Sequence, residues 1–484
     1  MKTSLEESLD PKDWEAFRRF AHQALDDSLD YLRGVRERPA WKPVPEQVRH
    51  KIAAPLPREG EGVEKAYADY RELVQPYPVG NIHPRFWGWV MGGGTPLGMV
   101  AEMLAATMNT NAGGFDQSST YVELQVVEWF KEIMGYPKEA SGVLVTGGSM
   151  ANLVGINVAR AAHAGFPVRA EGHARHPQLR VYASSETHSS VPKALELMGL
   201  GAAALAKIPV QDDYTVDVVQ LRQRIAADRQ AGLRPFCVVG NAGTVNTGAV
   251  DPLDALADLC QAEGLWLHVD GAFGALTVLD PATRGRLKGM ERADSLAFDL
   301  HKWMHLPYDV GCVLIRDREK HKAAFSVQAS YLNKLSGGVA APGPGLFTDY
   351  EPQLSRGFRA LKVWMSLKAY GLKAFARQIA QNLDQARYLE ERVKREAELE
   401  LLAPVPMNVV NLRYRGKGPD GEVLDELNAR ILIALQERGI AVPSSTVLQG
   451  RFAIRVAITN HRSRREDFDA LVTAVRDLGR EFSK

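Results

Sequence analysis

Cysteine is scarce in this chain. Among 484 residues there are three thiols, Cys237, Cys260 and Cys312, with no CxxC spacing. So sparse and odd a set excludes a disulfide framework and a cysteine-held zinc. Each lies in an apolar run (PFCVVG, ADLCQAEG, VGCVLI), which predicts buried free thiols and a reducing compartment. Neither sign of charge is in excess: 59 Lys and Arg face 58 Asp and Glu, a formal net charge of +1. That balance argues against a nucleic-acid partner and against a polybasic membrane anchor. Long apolar runs are missing as well. The most apolar window, 86–106, is broken by three consecutive glycines, a proline and Glu102, and makes a poor membrane span. The N-terminus, MKTSLEESLDPKDWEAF, is acidic and lacks the apolar core of a secretory signal. No repeat or low-complexity tract is visible. The remainder, 45% hydrophobic and 24% charged, is the composition of an ordinary globular protein. A soluble cytoplasmic protein of roughly three domain-sized units is the expectation.

The pattern along the chain divides it in three. Residues 1–85 read as an amphipathic helical arm with Asp10-Pro11 as a helix start, followed by proline-rich breaks. Such an arm cannot bury its own stripe, so it needs a larger body or a second subunit to pack on. Over 86–380, short β-rich runs (142–146, 180–184, 236–241, 266–270) alternate with helical stretches (150–164, 191–197, 253–263). That alternation predicts an α/β domain with a mostly parallel sheet and helices on both faces. Continuous apolar strands such as FCVVG and LWLHV fit burial on both sides. Residues 381–484 read as a small α+β domain: the end of a long helix from 374, VVNLRYR, a helix over 424–439, FAIRVAI and a last helix over 464–482.

Four local signals carry chemistry. In Val143-Leu-Val-Thr-Gly-Gly-Ser149-Met-Ala-Asn152 a strand ends, glycines turn the chain and a helix starts near Ser149. Free N–H groups and a hydroxyl at a helix N-terminus suit a phosphate, although an ordinary capped turn has the same look. In Leu265-Trp-Leu-His-Val-Asp270-Gly-Ala272 an apolar strand ends in a carboxylate, at the edge where parallel sheets bind ligands. It is either a ligand group or a local cap. In Ser295-Leu-Ala-Phe-Asp299-Leu-His301-Lys302-Trp303 a lysine follows an apolar strand. Burial there would make its amine nucleophilic toward an aldehyde, whereas an isolated surface lysine would only snorkel. His188 in Ser185-Glu-Thr-His188-Ser-Ser-Val either stacks on a flat ligand or caps a helix. A phosphate cradle, a strand-end carboxylate, a lysine 32 residues further on and a loop histidine form one parts list. It suits pyridoxal 5′-phosphate, with its phosphate, aldehyde and ring nitrogen. No metal-ligand spacing accompanies it.

With these motifs the chain resembles the group II pyridoxal-phosphate decarboxylases, the family of aromatic-L-amino-acid, histidine and glutamate decarboxylases. The resemblance runs from the Pro84-Arg-Phe-Trp region through Arg359-Ala-Leu-Lys-Val-Trp364 into the C-terminal domain, and its most specific parts are His301-Lys302-Trp303 and Asp270-Gly-Ala272. It implies a fold-type I architecture of the transferase kind. It implies that Lys302 carries the cofactor covalently, Asp270 pairs with the pyridine nitrogen, His188 stacks on the ring and Ala272 packs on its other face. Gly148, Ser149 and His301 match phosphate-binding positions, and Thr244 matches a contact near the ring. Tyr331, 29 residues after Lys302 and just before the Gly/Pro-rich stretch 337–345, matches the tyrosine that protonates the carbon left by carbon dioxide. That stretch reads as a mobile loop. Family members are homodimers with the site at the subunit interface, which suits the unburied stripe of the arm.

The expected reaction is decarboxylation of an L-amino acid to its amine, with Lys302, Tyr331, His188 and Asp270 as catalytic residues. An aromatic substrate is favoured by flat apolar walls at Phe86, Trp87, Trp89 and Phe115, with Trp89 and Phe115 as the substrate contacts. Asp299 stands where the aromatic enzymes often have Asn, and a carboxylate there is left out of the phosphate set. Gly92 in Trp87-Gly-Trp89-Val-Met-Gly92-Gly-Gly94 replaces a hydroxyl found in those enzymes. An aldehyde-forming oxidative decarboxylase, an acidic amino-acid decarboxylase and an aminotransferase are the alternatives.

Overall fold

The computed structural model describes residues 7–327, 337–339, 346–416 and 422–483. The first helix is Trp14–Arg33, and no residue in it is buried. Its start is Asp13, not Asp10-Pro11: the Asp13 carboxylate accepts from the N–H groups of Glu15 and Ala16, both at 3.0 Å. Those are two of the donors a helix N-terminus leaves unpaired. The arm is tied down further along. Arg36 pairs with Asp467 at 2.9 Å, and the Ala40 N–H donates to Gly439 O.

A two-residue strand, β1 (Phe86–Trp87), follows. It lies parallel to a strand near the C-terminus, Phe86 against Val442. Trp87 is therefore buried in the smaller sheet's core and Phe86 in a small cluster with Ala40 and Val442, instead of forming a substrate wall. Trp87 stacks on Phe468 with ring centroids 4.8 Å apart and donates to Ser463 Oγ at 3.0 Å.

The large sheet holds β2 (Ser141–Val145), β3 (Leu179–Ser184), β4 (Leu205–Ile208), β5 (Arg234–Asn241), β6 (Trp266–Asp270), β7 (Ser295–Asp299) and β8 (Gly311–Ile315). Its order is β2-β8-β7-β6-β5-β3-β4. β8 pairs antiparallel with both neighbours, and the other four pairings are parallel. Successive residues of one strand go to opposite faces. Leu144, Val238 and Leu267 enter one apolar cluster, while Val143, Val145, Val239 and Trp266 enter the other. The helices Ser118–Met134 and Leu253–Glu263 cover the first face, and Gly148–His163 and Ser190–Leu197 cover the second. Burial on both sides is what β-rich runs without polar alternation require. All three cysteines are buried and free, with burial raising each thiol's pKa.

The small sheet adds β9 (Leu399–Leu401), β10 (Val409–Tyr414), β11 (Val442–Leu448) and β12 (Arg451–Ala457), in the order β1-β11-β12-β10-β9. The helices Leu372–Lys394, Glu422–Glu437 and Arg465–Phe482 contribute to its core. Among the described residues no helix is long and apolar enough to cross a membrane.

Candidate active site

The carboxyl ends of β2, β6 and β7 open onto one cavity of about 290 Å³. Beyond β2 the chain turns at Gly147 into the helix Gly148–His163, and no side chain caps the helix start. The turn has no room for a side chain. A Cβ on Gly147 would lie 3.0 Å from His301 Cε1, and one on Gly148 2.9 Å from Asp299 Oδ2. The uncapped N–H groups and the exposed Ser149 therefore border the cavity as an anion cradle.

β6 delivers Asp270, which is buried. Its Oδ1 accepts from Ala272 N at 3.1 Å and its Oδ2 from Asn152 Nδ2 at 2.8 Å. β7 runs into the single-turn helix Leu300–Trp303, which carries Lys302. That turn is clamped on three sides. Leu300 and His301 N–H groups both donate to Val310 O, His301 Nδ1 accepts from Val310 N, and Trp303 Nε1 donates to Asn382 Oδ1. From the fourth side Gly92 presses so close that a Cβ there would lie 2.3 Å from both His301 O and Lys302 O. The missing hydroxyl noted at Gly92 is a steric necessity of this approach.

The Lys302 ammonium meets Asp299 Oδ2 at 2.8 Å. Asp299 is buried, and among the described residues its Oδ1 has no hydrogen-bond partner. It lines the same cavity as the residues from whose set its charge had excluded it. His188, beyond β3, has Nδ1 2.8 Å from Ser190 Oγ, and burial lowers its pKa. Burial likewise lowers the pKa of His301.

Gly148, Ser149, His188, Asp270, Ala272, His301 and Lys302 all line this cavity. Thr244 does not. It is buried, with Oγ1 3.0 Å from Thr247 Oγ1 and accepting from Ala249 N at 3.1 Å. Trp89 and Phe115 are also not part of the lining, and both hold positive φ, +52° and +72°. Tyr331 lies outside the described residues, as do 340–345 of the loop stretch.

Three residues without a sequence-based role belong to the site or its frame. Tyr308 lines the cavity with its ring 4.4 Å from that of His301, and burial, with the charge of Asp299, pushes its phenol up to about 12. Asn152 is the one polar side chain among the buried residues of the helix Gly148–His163, whose sequence also holds the less buried Asn157, so asparagine by itself was no signal. Arg356 is wholly buried between Glu123, at 2.6 Å, and Glu351, and it also donates to Leu144 O, just ahead of the glycine turn. Arg356→Met leaves two buried carboxylates uncompensated. It is expected to cost about 3–5 kcal/mol of folding stability, read by denaturant titration. A loss under about 1 kcal/mol would mean the two glutamates find other partners.

The residues present fit pyridoxal 5′-phosphate. The glycine cradle accepts no side chain, and a cation and a strand-end carboxylate face the same space. The model of the pyridoxal-dependent decarboxylase conserved domain matches residues 45–415. The chain belongs to that family. It is a carboxy-lyase dependent on pyridoxal phosphate. An aromatic-L-amino-acid decarboxylase of Bacillus atrophaeus is 33% identical over 473 residues, covering 97% of this decarboxylase and 96% of the relative. A phenylacetaldehyde synthase of Petunia hybrida is 28% identical, covering 93% and 91%. The solved structure of Oryza sativa TDC with PLP and tryptamine superposes at a TM-score of 0.91, with 26% identity over 99% of this chain and 100% of that one. The fold is therefore fold-type I.

Proposed function

We propose that this decarboxylase converts an aromatic L-amino acid to its amine and carbon dioxide. The lining of the cavity carries the reading. Trp89 is half exposed, on a segment whose backbone is held by Arg455 Nη1 at Trp89 O, 2.9 Å, and by Arg462 Nη1 at Gly93 O, 2.7 Å. The same segment brings Gly92 against the backbone carbonyls of His301 and Lys302, so a flat apolar side chain stands on the segment that borders the Lys302 turn, outside the lining itself. Among the described residues the cavity lining contains no arginine, and its one lysine is Lys302, so nothing there would hold a side-chain carboxylate. The similarity to aromatic-amino-acid decarboxylases supports the same choice. A panel of L-tryptophan, L-tyrosine, L-phenylalanine, L-histidine, L-glutamate and L-aspartate, scored for carbon dioxide, amine and aldehyde, tests it. Highest kcat/KM on glutamate or aspartate would overturn it.

When bound, pyridoxal 5′-phosphate supplies an aldehyde and an electron sink for the electron pair of the broken Cα–carboxylate bond. The chain's part is placement. The N–H groups after Gly147 and the Ser149 hydroxyl would meet the phosphate charge. The Lys302 amine, held by Asp299 in the free chain, would be the covalent tether for the aldehyde. Asp270 would hold a proton on the pyridine nitrogen, and the His188 ring would lie against the cofactor's face. Tyr331 would be the proton donor to Cα.

Tyr331→Phe tests that last role. A phenyl ring cannot donate a proton, so dissolved oxygen takes up the electrons instead. Amino acid, oxygen and water then become aldehyde, carbon dioxide, ammonia and hydrogen peroxide. Amine formation should fall by on the order of 10²-fold or more, with carbon dioxide release falling less. Amine alone at the wild-type rate would remove Tyr331 from the mechanism. The similarity to phenylacetaldehyde synthases makes the amine-to-aldehyde ratio of the unmodified enzyme equally informative.

A homodimer belongs to the same proposal. Trp14 and Leu29 on the arm, and Met103, Leu104 and Met108 on the helix Pro96–Met108, are apolar side chains left in solvent. Sedimentation should give twice the chain mass of 53.3 kDa. A monomer at micromolar concentration would contradict it.

A further inference from the structure

Asp270 and His188 are joined by an unbroken chain of buried hydrogen bonds, and the donors in that chain can be assigned without ambiguity. It begins at Trp266 Nε1, 2.7 Å from Ser295 Oγ. An indole N–H only donates, so the Ser295 hydroxyl accepts there and has one proton left to give. That proton goes to His268 Nδ1, 2.7 Å away. His268 then carries its own proton on Nε2, which donates to Asn152 Oδ1 at 2.9 Å. The opposite tautomer would face Asn152 Oδ1 with a lone pair and is excluded.

Asn152 is thereby oriented, with its NH2 group turned the other way. One N–H goes to Asp270 Oδ2 at 2.8 Å and the other to Ser190 Oγ at 2.9 Å. Ser190 Oγ accepts from Asn152, so its hydroxyl proton points at His188 Nδ1, 2.8 Å away. The Ser190 backbone N–H converges on the same nitrogen at 3.1 Å. His188 Nδ1 is an acceptor twice over, and the ring proton sits on Nε2. Asn152, Ser190, His268, Asp270 and Ser295 are all buried, so water does not compete for these bonds.

We propose that Asn152 is a positioning residue whose single amide fixes the Asp270 carboxylate and, through Ser190, presents His188 to the cavity as its Nε2–H tautomer. Burial lowers the pKa of His188 and brings that of His268 to about 4, in keeping with neutral rings at both stations. The inference rests on the reading that Asp270 and His188 serve the cofactor. The hydrogen-bond chain itself can be tested apart from that reading.

The experiment is long-range 1H–15N NMR of the full chain with ring-15N histidine, with and without cofactor, His188 being assigned by its loss in His188→Gln. The wild type should show a protonated Nε2 and a hydrogen-bonded, unprotonated Nδ1. Ser190→Ala removes the hydroxyl donor and should move the Nδ1 resonance toward that of a free lone pair. Ser190→Thr keeps the hydroxyl and should restore it. Asn152→Ala should move the same resonance and weaken the cofactor dissociation constant roughly tenfold, the usual scale for an outer-shell partner. Because the bonds lie in series, Ser190→Ala in an Asn152→Ala background should add little. A wild-type His188 protonated on Nδ1 overturns the proposal, as does a Ser190→Ala spectrum identical to wild type. Moved resonances with unchanged cofactor affinity in Asn152→Ala would uphold the chain and remove Asp270 from the cofactor instead.

Discussion

Lys302→Ala is expected to lower kcat/KM by on the order of 10⁴-fold or more, because in the proposed mechanism it removes the amine that would tether the cofactor. A second consequence follows from the ion pair. Asp299 is buried, its Oδ1 has no partner among the described residues and its Oδ2 faces Lys302 at 2.8 Å. Without the ammonium, this carboxylate is left uncompensated, and breaking such a pair is strongly destabilising. The cofactor-free Lys302→Ala chain should therefore melt below wild type. Lys302→Ala combined with Asp299→Asn should recover much of that stability while remaining inactive. Measured together, the two read-outs separate a catalytic lysine from a structural one. Activity within tenfold of wild type in Lys302→Ala would remove the lysine from its assigned role. Unchanged melting would mean that Asp299 is satisfied some other way.

What could be read in advance follows the range of the interactions. The helix Leu253–Glu263 and the strand β6 lie where the local pattern puts them, since apolar periodicity and a closing glycine specify both. The antiparallel direction of β8 has no local signature: its residues are as apolar as those of a parallel strand, and only its neighbours set its direction. β1 was out of reach for a similar reason, because two residues form a strand only against Val442 and Pro443, far away in sequence. In the site, Lys302, Asp270 and the glycine turn each fit an ordinary cap, turn or surface lysine when taken alone; they were legible as one cavity's lining because together they form a single parts list. Thr244 was placed near the ring by resemblance, yet its hydroxyl is engaged by Thr247 and Ala249 in a turn of its own. Asn152 and Arg356 were illegible because their meaning lies wholly in partners from other segments, Asp270, Ser190 and His268 for the one, Glu123, Glu351 and Leu144 for the other.

Asp270→Asn should cost more than the charge alone suggests. Both groups that meet the carboxylate are donors, Ala272 N–H at 3.1 Å and the Asn152 NH2 at 2.8 Å. An amide at 270 has one oxygen for two donors. With that oxygen kept on Ala272, its NH2 faces the NH2 of Asn152. Turning Asn152 over relieves the clash but sets its NH2 against His268 Nε2–H. His268 would then have to shift its proton to Nδ1, where Ser295 Oγ can accept it beside the Trp266 N–H but loses the acceptor of its own hydroxyl proton. The substitution thus either leaves two donors face to face or reverses the bonds as far as Ser295, and it releases Ser190 and His188 in the second case. Added to this is the loss of the negative charge that, in the proposed mechanism, would hold the pyridine proton. We expect kcat to fall by about 10²–10³-fold, the scale for removing one preorganised electrostatic group. Cofactor binding should weaken as well, read by titrating the free chain with pyridoxal 5′-phosphate. Asp270→Glu keeps the charge and accepts from both donors at shifted positions, so it should retain more activity than Asp270→Asn. If the two variants are equally impaired, geometry and not charge is what Asp270 supplies; if Asp270→Asn turns over at the wild-type rate, the carboxylate has no part in the chemistry.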